Sequence, residues 1–153
     1  MTRRVQLLLA VGIVVLSGFE CFRAYPSLPD PMASNFGREG VPGGWSSKKS
    51  FLTLHGVSLG FWLGALLAAR ALAANAGQNF DGSTRRWLGD SIGWFLVASM
   101  AFSATVTHWV FEANLEAGRL SDRFGWLLAI YIGYVLVWTV RLIQRVRRES
   151  HRG

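Results

Sequence analysis

The sequence predicts an all-α membrane protein: a four-transmembrane-helix bundle with a long Pro/Gly-rich extracytoplasmic loop between helices 1 and 2. Three observations carry this. Four runs of the chain are apolar and nearly free of charge for long enough to cross a bilayer, the basic excess is confined to alternate connections, and all four prolines fall in one segment. Only 16% of the 153 residues are charged and 51% are hydrophobic, against about 25% charged in a soluble domain. Disorder is excluded by that apolarity, and a disulfide scaffold by Cys21 being the single cysteine. The length fits a single membrane domain, 1–153.

A helix crossing about 30 Å of hydrocarbon needs about 20 residues. The first span, 5–22, is interrupted only by Glu20 near its far end. It follows Arg3 and Arg4 as a signal peptide would, but no small-residue cleavage site succeeds it, and Phe19 and Glu20 precede Cys21 where a lipoprotein box needs small residues. It therefore reads as an uncleaved signal anchor, with a cleaved signal as the alternative. The second span, 50–74, passes Arg70, whose side chain can snorkel outward. The third, 91–111, lies between Asp90 and Glu112, and the fourth, 124–143, ends around Arg141. Helices of a soluble bundle carry polar outer faces, and these runs are apolar all round.

An even number of spans places both termini on one side. The termini and the middle connection hold ten basic residues, among them Arg85, Arg86 and Arg145, against Asp81, Asp90 and Glu149, a net +7. The other side holds six basic and six acidic residues, a net zero. The positive-inside rule then puts both termini and the basic tail, 144–153, in the cytoplasm of a bacterium, with a multi-pass inner-membrane location. The tail has no aromatic interleaving and no groove-reading module, so its partner is the anionic lipid bilayer and not nucleic acid. His151 in this tail reads as solvated. Trp87, Trp109 and Trp126 fall at span boundaries, where amphipathic rings prefer to sit.

Small residues repeating every four mark helix contacts in lipid. Gly56, Gly60, Gly64 and Ala68 form such a row and predict that the second helix is central. Gly125, Ala129 and Gly133 repeat the pattern, and Ser99, Ser103 and Thr107 form a polar seam on the third helix. Packing within the chain is the reading of these rows; a pore lining or a homo-oligomer contact are the alternatives.

The outer loop, 23–49, is well beyond the length of about 12–15 residues at which an irregular connection becomes unusual. Tyr25, Leu28, Met32, Phe36 and Trp45 between Pro and Gly turns predict a compact cap on the outer mouth of the bundle. The run YPSLPDPMASNFGREGVPGGWSSK resembles the signature of a bacterial integral membrane domain family of unknown function, which also occurs in the immunity proteins against the sporulation-delaying toxin. The resemblance rests on Leu28, Pro29, Phe36, Gly40, Gly44, Trp45, Ser47 and Lys48 and spans roughly residues 8–60. It implies an envelope protein with a binding, sensing or toxin-immunity-like role through this loop, for which Leu28, Pro29, Asn35, Phe36, Gly40, Trp45 and Lys48 are the candidate binding residues. Family members often carry His where this chain has Asn35 and Asp where it has Gly43, so a ligand role of that His or Asp does not transfer.

Ionisable groups inside a membrane are the default functional suspects. His55 and His108 each lie about one turn below the outer end of a span, Glu112 follows His108 by four residues on the same helix face, and Glu20 closes the first span at that side. His55, His108 and Glu112 form a candidate metal set for zinc, and the two imidazoles a candidate haem pair. One interfacial hydrogen bond for each His is the simpler reading. No phosphate-binding loop, dinucleotide fingerprint, Cys pair or zincin motif occurs in the sequence, which favours a non-enzyme. Three functions stand as expectations. The first is a binding or sensing protein for a peptide, small ligand or partner membrane protein, the second a metal- or haem-binding redox protein, and the third a transport or accessory subunit.

Overall fold

The computed structural model describes residues 2–37, 39–75 and 82–150. The element order is α1 (Thr2–Ala24), β1 (Met32–Phe36), β2 (Pro42–Ser46), α2 (Lys48–Asn75), α3 (Gly82–Glu112), a π-helical turn (Ala113–Ala117) and α4 (Arg123–Ser150). All four α-helices are long and apolar enough to cross a membrane, as a multi-pass membrane protein requires. Arg3, Arg70, Thr84, Asp90 and Arg145 meet at one end of the bundle, and the β-hairpin, bonded to Asn114 and Leu120, lies at the other.

The helices outrun the predicted spans. α3 begins nine residues before Ser91 and takes in Arg85, Arg86 and Asp90, which the sequence reading placed in a connection. Nothing in helix geometry stops at the hydrocarbon edge; a first turn rich in charge is solvated where it emerges. α4 runs through the arginine-rich tail to Ser150 for the same reason. His151 lies outside the described residues.

The central helix is α3, and the expectation for α2 is corrected. α3 packs against α1, α2 and α4 and is buried along its length, from Thr84 to Phe111. α1 turns Gln6, Ala10 and Ser17 inward on one stripe, and Ala10 joins Leu66, Leu96, Val97 and Met100 in the mid-bundle core. At Gly93 the side-chain amide of Gln6 fills the space that an added Cβ would need. The row Gly56, Gly60 and Gly64 faces away from the bundle, with nothing within 4 Å of a Cβ built at any of them. Gly125 and Gly133 are equally open. These rows do not pack the chain against itself. The seam Ser99, Ser103 and Thr107 does turn inward, with Ser99 and Thr107 buried.

The predicted irregular loop contains a two-stranded antiparallel sheet, so the fold is not purely helical. Met32 pairs with Ser46, Ala33 with Trp45, Asn35 with Gly44 and Phe36 with Pro42, the register shifting on either side of Asn35. Pro42, Gly43 and Gly44 are poor strand formers, and the hairpin is held by tertiary contacts. Leu28 and Met32 bury themselves against Val110, Phe111, Ala113 and Leu120. The Asn114 side chain pairs with both backbone groups of Ala33: the Ala33 N–H donates to Oδ1 at 2.7 Å and Nδ2 donates to the Ala33 carbonyl at 2.9 Å. Gly40, at φ 72°, accepts a hydrogen bond from the Leu120 N–H at 2.8 Å. An added Cβ there would lie 2.6 Å from the Leu120 carbonyl oxygen, so only glycine fits.

Candidate functional site

The hairpin end carries the polar residues singled out by sequence, and the structure divides them into three groups. The first builds the cap. Leu28 is buried and Phe36 packs on the same core. Ser47 is the N-cap of α2, its Oγ accepting from the Ser50 N–H at 3.1 Å. Lys48 staples the loop, its Nζ 3.3 Å from the carbonyls of Tyr25 and Leu28 and 4.7 Å above the Tyr25 ring. Gly40 makes the close approach to Leu120. Pro29, Asn35 and Trp45 remain exposed, and Trp45, at 61% of its surface, joins Trp126 at 76% as an open indole at this end. Such rings suit a membrane–water boundary.

The second group is an open cleft of about 480 Å³ between the ends of α1 and α3, lined by Glu20, Arg23, Ser27, His108, Glu112 and Glu116 among others. His108 Nδ1 meets Glu20 Oε1 at 2.5 Å. The pair is partly exposed and joins α1 to α3 across the mouth. Glu112 lies on the same face one turn on, as the i, i+4 spacing requires.

The third group surrounds His55, which is buried between α1 and α3. Ser17 Oγ lies 2.8 Å from Nε2 and Thr107 Oγ1 lies 2.9 Å from Nδ1. A neutral imidazole donates at one nitrogen and accepts at the other, and two hydroxyls can answer in either sense. This clamp ties three helices together. His55 and Thr107 also line a second cavity of about 450 Å³, between α2, α3 and α4, which reaches Ser34 of the hairpin.

The structure does not bring the three members of the metal set, His55, His108 and Glu112, together. His108 and Glu112 share the cleft, but both nitrogens of His55 are engaged by hydroxyls elsewhere. Among the described residues, no three His, Cys, Asp or Glu side chains converge to hold a metal ion. Cys21 is free and half-buried.

Sequence reasoning missed Ser17, Arg23 and Asn114. Ser17 had a signal, since it lies one turn below Glu20 in an apolar span, where a hydroxyl at helical spacing from a suspect residue marks the same face. Asn114 had little: its role depends on Ala33, 81 residues away. No family model, curated protein or solved structure matches the chain.

Proposed function

We propose that this chain is a bacterial inner-membrane protein, with its termini in the cytoplasm and its hairpin outside, that binds a ligand and does not catalyse a reaction. The ligand is a peptide or small molecule with a cationic group, received in the cleft between α1 and α3. The observation that carries this reading is the cleft itself, about 480 Å³ of open space beside a pinned cap. Glu20, Glu112 and Glu116 outnumber Arg23 on its walls, and Glu20 is already partnered by His108. Charge placed in such a cleft attracts a ligand of opposite sign. The net +7 of the terminal end and the zero of the hairpin end support the orientation. The likeness of the loop to the membrane domain family found in toxin immunity proteins supports a secreted peptide as the ligand.

Photocrosslinking in living cells tests the proposal. A photoreactive residue at Leu115, in the cleft, should yield a discrete adduct that Glu112→Lys removes, while one at Ile130, on the outward face of α4, should yield only lipid. The same adducts at both positions would sink the reading.

A further inference from the structure

The cavity between α2, α3 and α4 lies apart from the cleft, and its lining is unusual for membrane depth. Ser58 lies eight residues inside the second span, which begins at Ser50, and Ser103 eight residues inside the outer end of the third, which closes at Phe111. At 1.5 Å per residue both lie about 12 Å below the outer edge of a hydrocarbon layer about 30 Å thick. A serine or threonine hydroxyl in a membrane helix ordinarily donates to the carbonyl four residues back. Ser99, Thr105 and Thr139 do this, at 2.9, 2.9 and 2.8 Å. Ser58 and Ser103 line the cavity, and no hydrogen bond of either side chain is found among the described residues. Two hydroxyls from different helices thus face a common space where hydrocarbon offers them nothing.

The other walls say what kind of molecule fits. Trp62, Phe102 and Tyr131 line the space, with Phe102 stacked on Tyr131 at 4.1 Å and 9° between planes. Tyr131 is fixed by its hydroxyl contact with Ser99 at 2.8 Å. Phe102 and Tyr131 cover one another's facing sides, and their remaining surfaces with the Trp62 indole give the cavity an aromatic lining that an aromatic or quinonoid ring can pack against. No Lys, Arg, Asp or Glu lines the cavity, so a charged headgroup would find no counter-charge. α2 and α4 both rest on α3 and scarcely touch each other, which leaves a gap between them on the lipid side of a bundle that spans a membrane. An acyl chain could enter but would leave both serines unbonded. A volume of about 450 Å³ lies within the range of about 300–1,000 Å³ for small-molecule sites.

We infer that this cavity is a binding site for a membrane-dissolved quinone. The ring lies against the aromatic wall, its carbonyl oxygens accept from Ser58 and Ser103, and its apolar tail leaves between α2 and α4. Binding of the neutral ring alone is inferred.

The test uses the full chain in phospholipid nanodiscs, titrated with a decyl-tailed benzoquinone while tryptophan fluorescence is followed. Saturable quenching is expected, and Trp62→Phe should remove most of it. The double variant S58L/S103L should weaken binding at least tenfold, and an excess of decane should not compete. Glu112→Lys, in the separate cleft, should leave the titration unchanged. Quenching that rises linearly with quinone, as partitioning alone gives, would overturn the inference; so would equal competition by decane, which would make the space an acyl-chain slot. If the leucine variant does not fold, S58A/S103A removes the hydroxyls alone. A loss of affinity of threefold or more then supports the site, and unchanged affinity overturns it.

Discussion

The two ends of the bundle are built by opposite means. At the hairpin end, backbone groups do the fastening: Ala33 is bonded on both sides by Asn114, Gly40 is bonded to Leu120, and a small apolar core fills the space between. At the terminal end, long charged side chains reach across gaps. Arg3 pairs with Asp90 at 3.5 Å, Arg70 donates to the Arg3 carbonyl, and Arg145 donates to Thr84 at 2.9 Å while lying 5.9 Å from the Trp87 ring centre. The first kind of fastening requires particular residues at particular places. The second tolerates exchange, because exposed ion pairs contribute little and are screened by salt. One end is thus held by shape and the other by exchangeable charge.

Three substitutions can break or sharpen that contrast. Asn114→Leu should have the largest effect, because it leaves the buried N–H and carbonyl of Ala33 both unbonded, at about 1–3 kcal/mol for each group. It should lower the midpoint of thermal unfolding in detergent and open the hairpin to trypsin in right-side-out vesicles; a hairpin as resistant as in the parent would show that the core alone holds the cap. Gly40→Ala comes next. Its backbone lies in the left-handed region and its Cβ would press on the Leu120 carbonyl, so a loss of about 2 kcal/mol is expected from strain of this kind, read from the same unfolding curves. Arg3→Ala should be smallest, under about 1 kcal/mol, since both partners of its ion pair are exposed by more than a third. A loss at the terminal end as large as that of Asn114→Leu would erase the distinction.

What the sequence discloses follows the same division. Features set by a long-range average, such as the length of a run without charge or the excess of arginine at alternate connections, are readable because each residue contributes a little and no single contact decides. The four spans are of that kind. Their relative positions are not. The glycine row on α2 pointed to a central helix, yet Gly56, Gly60 and Gly64 face outward while α3, which has no such glycine row, is enclosed. Spacing identifies a shared face without saying what that face meets. Pro42, Gly43 and Gly44 read as turn formers, and the strand they enter exists because Asn114 and Leu120 return from the other end of the chain to support it. At the candidate site, Glu20, His108 and Glu112 were legible through helical spacing and common depth. The separation of His55 from His108 was not, because adjacent residues on α3, Thr107 and His108, point to different neighbours.

The bonds from Ala33 to Asn114 and from Gly40 to Leu120 also set a timetable for biogenesis. The hairpin is synthesised between the first two membrane helices, about 80 residues before the groups that fasten it. Until the third helix has been inserted and the turn after it has emerged, Met32 has no core to enter and Ala33 no side chain to bond. A ribosome-bound chain halted after α2 therefore presents an open, protease-sensitive hairpin, and closure of the cap reports that the third helix and its following turn have reached their place.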